Sequence, residues 1–279
     1  MIMNKYLFPL LLLLCAINLH AQTTPAIPYG NNPSAGHYIM VNGTRIYCEI
    51  YGQGRPLLLL HGSGGSIRSQ RGRIPFFQNY FQVIAIDSRS QGKSLDSVSK
   101  RLTYDQMADD VKVVMDSLHI DSAYVWGQSD GGILALILAS KYPAKIAKLA
   151  TYGANTFPGK KAIYDEMVDL VEDSLKATKD FQSRRLYDLL VNEPHITTKD
   201  LQKISAPALI MVGDRDLIKP EHTQMIFDNI PNSNLFVMPG ATHSGSIEKP
   251  DLFNMVLLNF FLQPFSKRSS VEMYTGKHP

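Results

Sequence analysis

Two cysteines in 279 residues, one tryptophan and no internal repeat leave no material for a disulfide scaffold or a solenoid. Charge of one sign is also lacking. Twenty-eight Lys and Arg face 25 Asp and Glu, for a formal net charge of +3 without long single-sign runs. No field is therefore built to attract phosphate backbones or anionic membranes, and nucleic acid is not an expected partner. Low-complexity tracts are missing as well, and no apolar run reaches the ~20 residues that a spanning helix needs. What is present is the mix of a folded globular chain, 44% hydrophobic and 19% charged. Its length suits one large domain.

The first residues read as an address. Met1 to Lys5 is a short basic start, Tyr6 to Leu14 is almost wholly apolar with five consecutive leucines, and small Ala21 precedes polar Gln22. This predicts a signal peptide over 1–21, cleaved after Ala21, and an exported protein, secreted or periplasmic, with no stable membrane insertion after cleavage. Cys15 as a lipid anchor is disfavoured, because Leu14 is larger than the small residue such sites require. Cleavage leaves Cys48 alone, so no internal disulfide is expected. Its place in the alternating segment Arg45 to Tyr51 predicts a buried, inert thiol.

From residue 22 to 265 short apolar runs alternate with amphipathic ones. Tyr38 to Val41 and Thr44 to Ile50 flank Asn42-Gly43, a hairpin signature. Strand-like runs follow at Pro56 to Leu60, Gln82 to Ile86, Ala123 to Trp126, Ile146 to Tyr152, Ala208 to Val212 and Leu235 to Met238. Helical patterns lie between them at Tyr104 to Leu118, with Thr103 and Gln106 as a capping box, and at Gly131 to Lys141, Glu221 to Asn229 and Lys249 to Leu262. This alternation predicts an α/β fold with a mostly parallel sheet flanked by helices. Residues 155–205 break the alternation, with helical patterning over Lys160 to Lys179 and Asp180 to Val191, and read as a small helical cap. The polar tail, 266–279, lacks periodicity and is expected to be loose.

Gly127-Gln128-Ser129-Asp130-Gly131 stands where a strand passes into a helix, the setting a nucleophile elbow requires. A serine there projects at the carboxyl edge of the sheet, above a helix N-terminus that favours a developing anion. A hydroxyl needs a base, and the base needs an orienting acid. Gly213-Asp214-Arg215-Asp216 and Gly240-Ala241-Thr242-His243 each follow a later strand at that same edge. The catalytic candidates are thus Ser129, His243 and Asp216, the last favoured over Asp214. His61-Gly62-Ser63-Gly64-Gly65-Ser66 follows another strand. The backbone N–H groups of Ser63 and Asp130 are assigned to an oxyanion hole, with His61 as a brace for the loop. Asp87 to Ser94 reads as a scaffold loop. Arg68, Arg71 and Arg73 read as a solvated helix face rather than an anion site, and Lys160-Lys161 and Arg184-Arg185 are weaker signals still.

These motifs, from about Tyr38 to Leu262, resemble the α/β-hydrolase superfamily, and Asp87 to Ser94 looks like its D-x-R-G-x-G-x-S loop with Ser90 replacing a glycine. The resemblance implies an eight-stranded sheet whose second strand is antiparallel, a cap inserted after the sixth strand, and no cofactor or metal. Trp126 to Thr156 is more closely similar to the valacyclovir hydrolase, or biphenyl hydrolase-like, group. Asp130 matches the residue that holds the ammonium of α-amino esters there, while Gln128 departs from that group's tryptophan. Asp130 is accordingly a candidate substrate-binding residue as well as a helix-terminal acid. The expected function is an exported serine hydrolase cleaving a small-molecule ester through an acyl-enzyme. The alternatives are a C–C hydrolase, amidase or aminopeptidase-like enzyme with the same triad, or a non-catalytic ligand-binding homologue.

Overall fold

Asn42-Gly43 turns the chain between β1 (Gly36–Val41) and β2 (Thr44–Tyr51), and both turn residues have positive φ. That conformation matches the twist of the two strands it joins. The computed structural model describes residues 27–277, so the expected leader and Cys15 lie outside the described residues. Six more strands follow: β3 (Pro56–Leu60), β4 (Gln82–Ile86), β5 (Ala123–Gln128), β6 (Ile146–Tyr152), β7 (Ala208–Gly213) and β8 (Ser233–Met238). They form one sheet in the order β1-β2-β4-β3-β5-β6-β7-β8, with β2 antiparallel to both neighbours and β3 to β8 parallel. The expected eight-stranded sheet with an antiparallel second strand is therefore present.

Period-two alternation splits the strand side chains between two cores. Leu58, Leu60, Ile84, Ile86 and Val125 face the helices Tyr104–Ser117, Asp130–Lys141 and Pro220–Asn229. Leu57, Leu59, Val83, Ala85 and Trp126 face Ile74–Phe77 and Pro250–Leu262. Burial on both faces explains why these strands read as continuous apolar runs. Each fully buried leucine contributes about 2 kcal/mol by removal of its surface from water. Thr103 caps its helix by accepting from the Gln106 N–H at 3.2 Å.

Other local details are set by polar contacts that periodicity does not show. Glu49 is buried, and it accepts from the Gly30 and Asn32 N–H groups and from the Tyr47 and Tyr51 hydroxyls at 2.7–2.8 Å, which pins the proline-rich lead-in to the sheet. Cys48 is a free, buried thiol pushed up to about 12, chiefly by burial. The tail, expected to be loose, contains the helix Ser270–Thr275, whose first turn is satisfied by the Ser269 hydroxyl accepting from the Glu272 N–H. Six residues are too few to display a period. No helix among the described residues is long and apolar enough to cross a membrane.

Between β6 and β7 lie the helices Asp165–Ala177 and Phe181–Asn192 and the short Thr198–Leu201. The first starts five residues later than its pattern suggests, because Ile163 pairs with Ile218 in an isolated bridge that holds the preceding chain extended. Asp180 caps the second by accepting from the Ser183 N–H at 2.8 Å. Arg185, a weak sequence signal, anchors that helix to the body. It donates to the Ser90 hydroxyl at 2.7 Å and the Asp96 carbonyl at 2.8 Å, and it pairs with the Asp96 carboxylate at 3.3 Å.

Candidate active site

Ser129 joins β5 to the helix Asp130–Lys141 with φ +53° and ψ −118°, a strained conformation for a residue with a side chain. The flanking glycines are demanded by backbone crowding. A Cβ on Gly127 would lie 2.0 Å from the Gly131 carbonyl oxygen, and one on Gly131 would lie 2.2 Å from that of Leu60. The Ser129 N–H donates to the Tyr152 carbonyl at 2.8 Å, which ties the turn to β6.

The carboxyl ends of β3, β5, β7 and β8 converge at this point. Ser129, His243, Gly62, Ser63 and Asp130 all line one cavity of about 370 Å³, roofed by Met167, Val168 and Val171 of the cap. His243 Nδ1 is 2.7 Å from Asp216 Oδ1. Asp216 is buried and accepts further from the Ile218 N–H at 3.1 Å, which fixes its carboxylate plane. Asp214 is exposed and accepts instead from the Ala241 N–H at 3.2 Å. The Gly240 and Ala241 N–H groups, the former more strongly, hold its carboxyl below the usual range.

In a neutral imidazole the ring nitrogen that faces a carboxylate carries the proton, which leaves the lone pair on Nε2 of His243. Two side chains absent from the expected site hold the His243 loop. Gln128 Nε2 donates to the His243 carbonyl at 3.0 Å while its Oε1 accepts from the Ser246 hydroxyl at 2.8 Å, and the Tyr152 hydroxyl donates to the Thr242 carbonyl at 2.5 Å. No sequence motif marks these contacts, because each joins residues at least 90 positions apart that only the sheet order brings together.

On the other flank, the loop after β3 abuts Ser129: a Cβ on Gly62 would sit 3.2 Å from Ser129 Cβ. His61 is buried and accepts from the Ser88 N–H at 3.0 Å, so its Nδ1 donates to the Gly62 carbonyl at 2.7 Å. Burial pushes it down to about 4, which keeps it a neutral brace between two loops. Asp87 in the scaffold loop accepts from the Ile67 and Lys93 N–H groups, both at 2.7 Å, and Arg89 grips Asp110 with a two-pronged pair at 2.6 and 2.7 Å.

Asp130 is buried at the first turn of its helix, where the dipole favours a carboxylate. Neither of its oxygens, nor the Tyr104 hydroxyl beside it, completes a hydrogen bond of normal geometry. Burial pushes the carboxyl up to about 6 against the opposing pull of Tyr104 and Ser63. Arg73 departs from the expected solvated face: Arg68 and Arg71 are exposed, but Arg73 is only 3% exposed and lines the cavity. No group of three or more His, Cys, Asp or Glu among the described residues is arranged to hold a metal ion.

Known proteins share this fold. A profile of the alpha/beta hydrolase fold matches residues 55–182. The serine hydrolase BPHL of Mus musculus is 28% identical over 265 residues, covering 86% of this chain and 90% of the relative. The BPHL of Homo sapiens is 29% identical over 262 residues, covering 85% and 89%. Among solved structures, an N-acyl homoserine lactone degrading enzyme superposes with a TM-score of 0.70 at 24% identity, covering 80% of this chain and all of that one.

Proposed function

We propose that this chain, which has the α/β-hydrolase fold and is similar to the BPHL serine hydrolases, cleaves small carboxylic esters through an acyl-enzyme on Ser129. The observation that carries the reading is the His243 to Asp216 contact of 2.7 Å beside a serine held in a strained elbow, with all three strand ends opening on one cavity.

In this mechanism Ser129 Oγ attacks the ester carbonyl and its proton passes to His243 Nε2. The carbonyl oxygen becomes an oxyanion that accepts from the Ser63 and Asp130 N–H groups. Loss of one such donor costs about 3–4 kcal/mol of transition-state stabilisation. Collapse breaks the acyl C–O bond, and His243 returns its proton to the departing alkoxide. Water then adds to the acyl carbon, again losing a proton to His243, and the acid leaves as Ser129 regains its hydrogen.

The finer reading is selectivity for α-amino esters. Asp130 offers two buried carboxylate oxygens beside the acyl site that no protein donor meets with normal hydrogen-bond geometry, and a substrate ammonium would satisfy them. Purified protein should turn over an aryl acetate and react with a fluorophosphonate probe. Ser129→Ala should abolish both, and labelling that survives the substitution would refute Ser129 as the nucleophile.

A further inference from the structure

Three arginines among the described residues are almost fully buried: Arg73, Arg89 and Arg185, at 3%, 1% and 3% exposure. Two have counter-ions. Arg89 pairs with Asp110 at 2.6 Å, and Arg185 pairs with Asp96 at 3.3 Å. Arg73 forms no ion pair among the described residues. Its Nε donates to Gln70 Oε1 at 2.8 Å, Nη1 to the Ser246 carbonyl at 3.1 Å and Nη2 to the Ser69 carbonyl at 3.5 Å, all neutral acceptors. A guanidinium has five N–H groups, so donors remain. Burial, with Arg71 adding a little, lowers Arg73 to about 10, and it therefore stays a cation at neutral pH. Glu172 and Glu193 line the same cavity, but neither comes within ion-pair distance of it.

A buried charge without a counter-ion is costly unless an anion arrives to share the site. We infer that Arg73 is a specificity residue that receives a carboxylate carried by the leaving group of the substrate. This rests on the reading of Ser129 as the nucleophile. The guanidinium is pre-oriented. Its Cζ lies 4.6 Å from the centroid of the Trp126 ring and 5.9 Å from that of Phe253, and its three hydrogen bonds hold the fork in place before ligand arrives. A planar fork held in this way suits two-pronged recognition of a carboxylate.

The side of the cavity follows from its anchor. Ser246 lies three residues beyond His243, so Arg73 is bonded to the loop whose histidine must protonate the departing alkoxide. Asp130, Glu172, Glu193, Tyr104 and Gln128 are among the other polar residues that line the cavity. The substrate class is an ester whose alcohol or phenol portion bears a carboxylate. Water is consumed, the acyl C–O bond breaks, and a carboxylic acid and a hydroxy acid are released.

Phenyl acetate and 3-acetoxybenzoate form a matched pair, since a meta carboxylate barely changes the basicity of the phenolate. Wild-type protein should favour 3-acetoxybenzoate by at least tenfold in kcat/KM. Arg73→Met should bring that ratio close to one, and Arg73→Lys, which keeps the charge, should retain part of it. Equal turnover of the two esters by the wild type, or an unchanged ratio in Arg73→Met, overturns the inference. If turnover of both esters persists in Ser129→Ala, it is the assignment of Ser129 as the nucleophile that fails. A binding measurement does not depend on turnover: calorimetry should show 3-hydroxybenzoate binding Ser129→Ala at least tenfold more tightly than phenol does, with the difference lost when Arg73→Met is added. The absence of such a difference also overturns it.

Discussion

Asp216 Oδ1 stands 2.7 Å from His243 Nδ1, while Asp214, two residues earlier in the same loop, turns away to accept the Ala241 N–H. One carboxylate orients the imidazole and the other closes the loop that carries it. The two acids should therefore fail differently. Asp216→Asn leaves His243 in the wrong tautomer and should lower kcat on an aryl acetate by about three to four orders of magnitude. Asp214→Asn keeps the acceptor oxygen and should cost less than about tenfold. Steady-state kinetics of the two variants decide the assignment, and equal losses would contradict it.

Gln128 bridges the His243 carbonyl and the Ser246 hydroxyl at 3.0 and 2.8 Å. Each hydrogen bond contributes about 0.5–1.5 kcal/mol, so Gln128→Ala should reduce kcat by roughly tenfold through a misplaced imidazole. KM for a small acetyl ester should move much less than kcat. A change confined to KM would make Gln128 a substrate contact rather than a positioning residue.

The Asp130 carboxyl, pushed up to about 6, should set the pH response of substrate choice. Below that value it is mostly neutral and cannot pair with an ammonium; above it the charge is present. The ratio of kcat/KM for an α-amino ester to that for a simple acetyl ester should therefore rise between pH 5 and 7. Taking the ratio cancels any pH dependence that the two substrates share. Asp130→Asn should flatten the profile, and an unaltered profile would remove Asp130 from substrate recognition.

His222 is buried beside Phe157 and accepts the Thr156 N–H at 3.0 Å, and burial pushes it down to about 4. Its folded value is below the unfolded one near 6.5, so the unfolded chain binds the proton more readily and stability is lost as pH falls through that window. His222→Gln lacks this proton. On going from pH 7 to pH 4, the stability of the variant relative to wild type should rise by up to about 3 kcal/mol, read from urea midpoints at several pH values.

Much of the fold was legible because its signals are local. Pro56 to Leu60 and Gln82 to Ile86 read as strands with both faces buried, and the structure reproduces those bounds. The order of Gly-x-Ser-x-Gly, Asp and His motifs, each just after a strand, placed Ser129, Asp216 and His243 at one edge because parallel strands share a carboxyl end. The cap helix Asp165–Ala177 was legible in kind but not in its start, which a long-range bridge between Ile163 and Ile218 sets.

Arg73 marks the limit of the sequence. Beside Arg68 and Arg71 it reads as one more surface cation, since exposure is not encoded in three residues of like charge. Local pattern determined which segments are strands and helices and which motifs end them, because backbone sterics and hydrophobic periodicity act over a few residues. Tertiary packing decided that Asp216 and not Asp214 meets His243, that Gln128 steadies the loop, and that Arg73 turns inward over Trp126. Those outcomes depend on which distant chains the sheet order sets side by side, and on the cost of burying a charge once they are there.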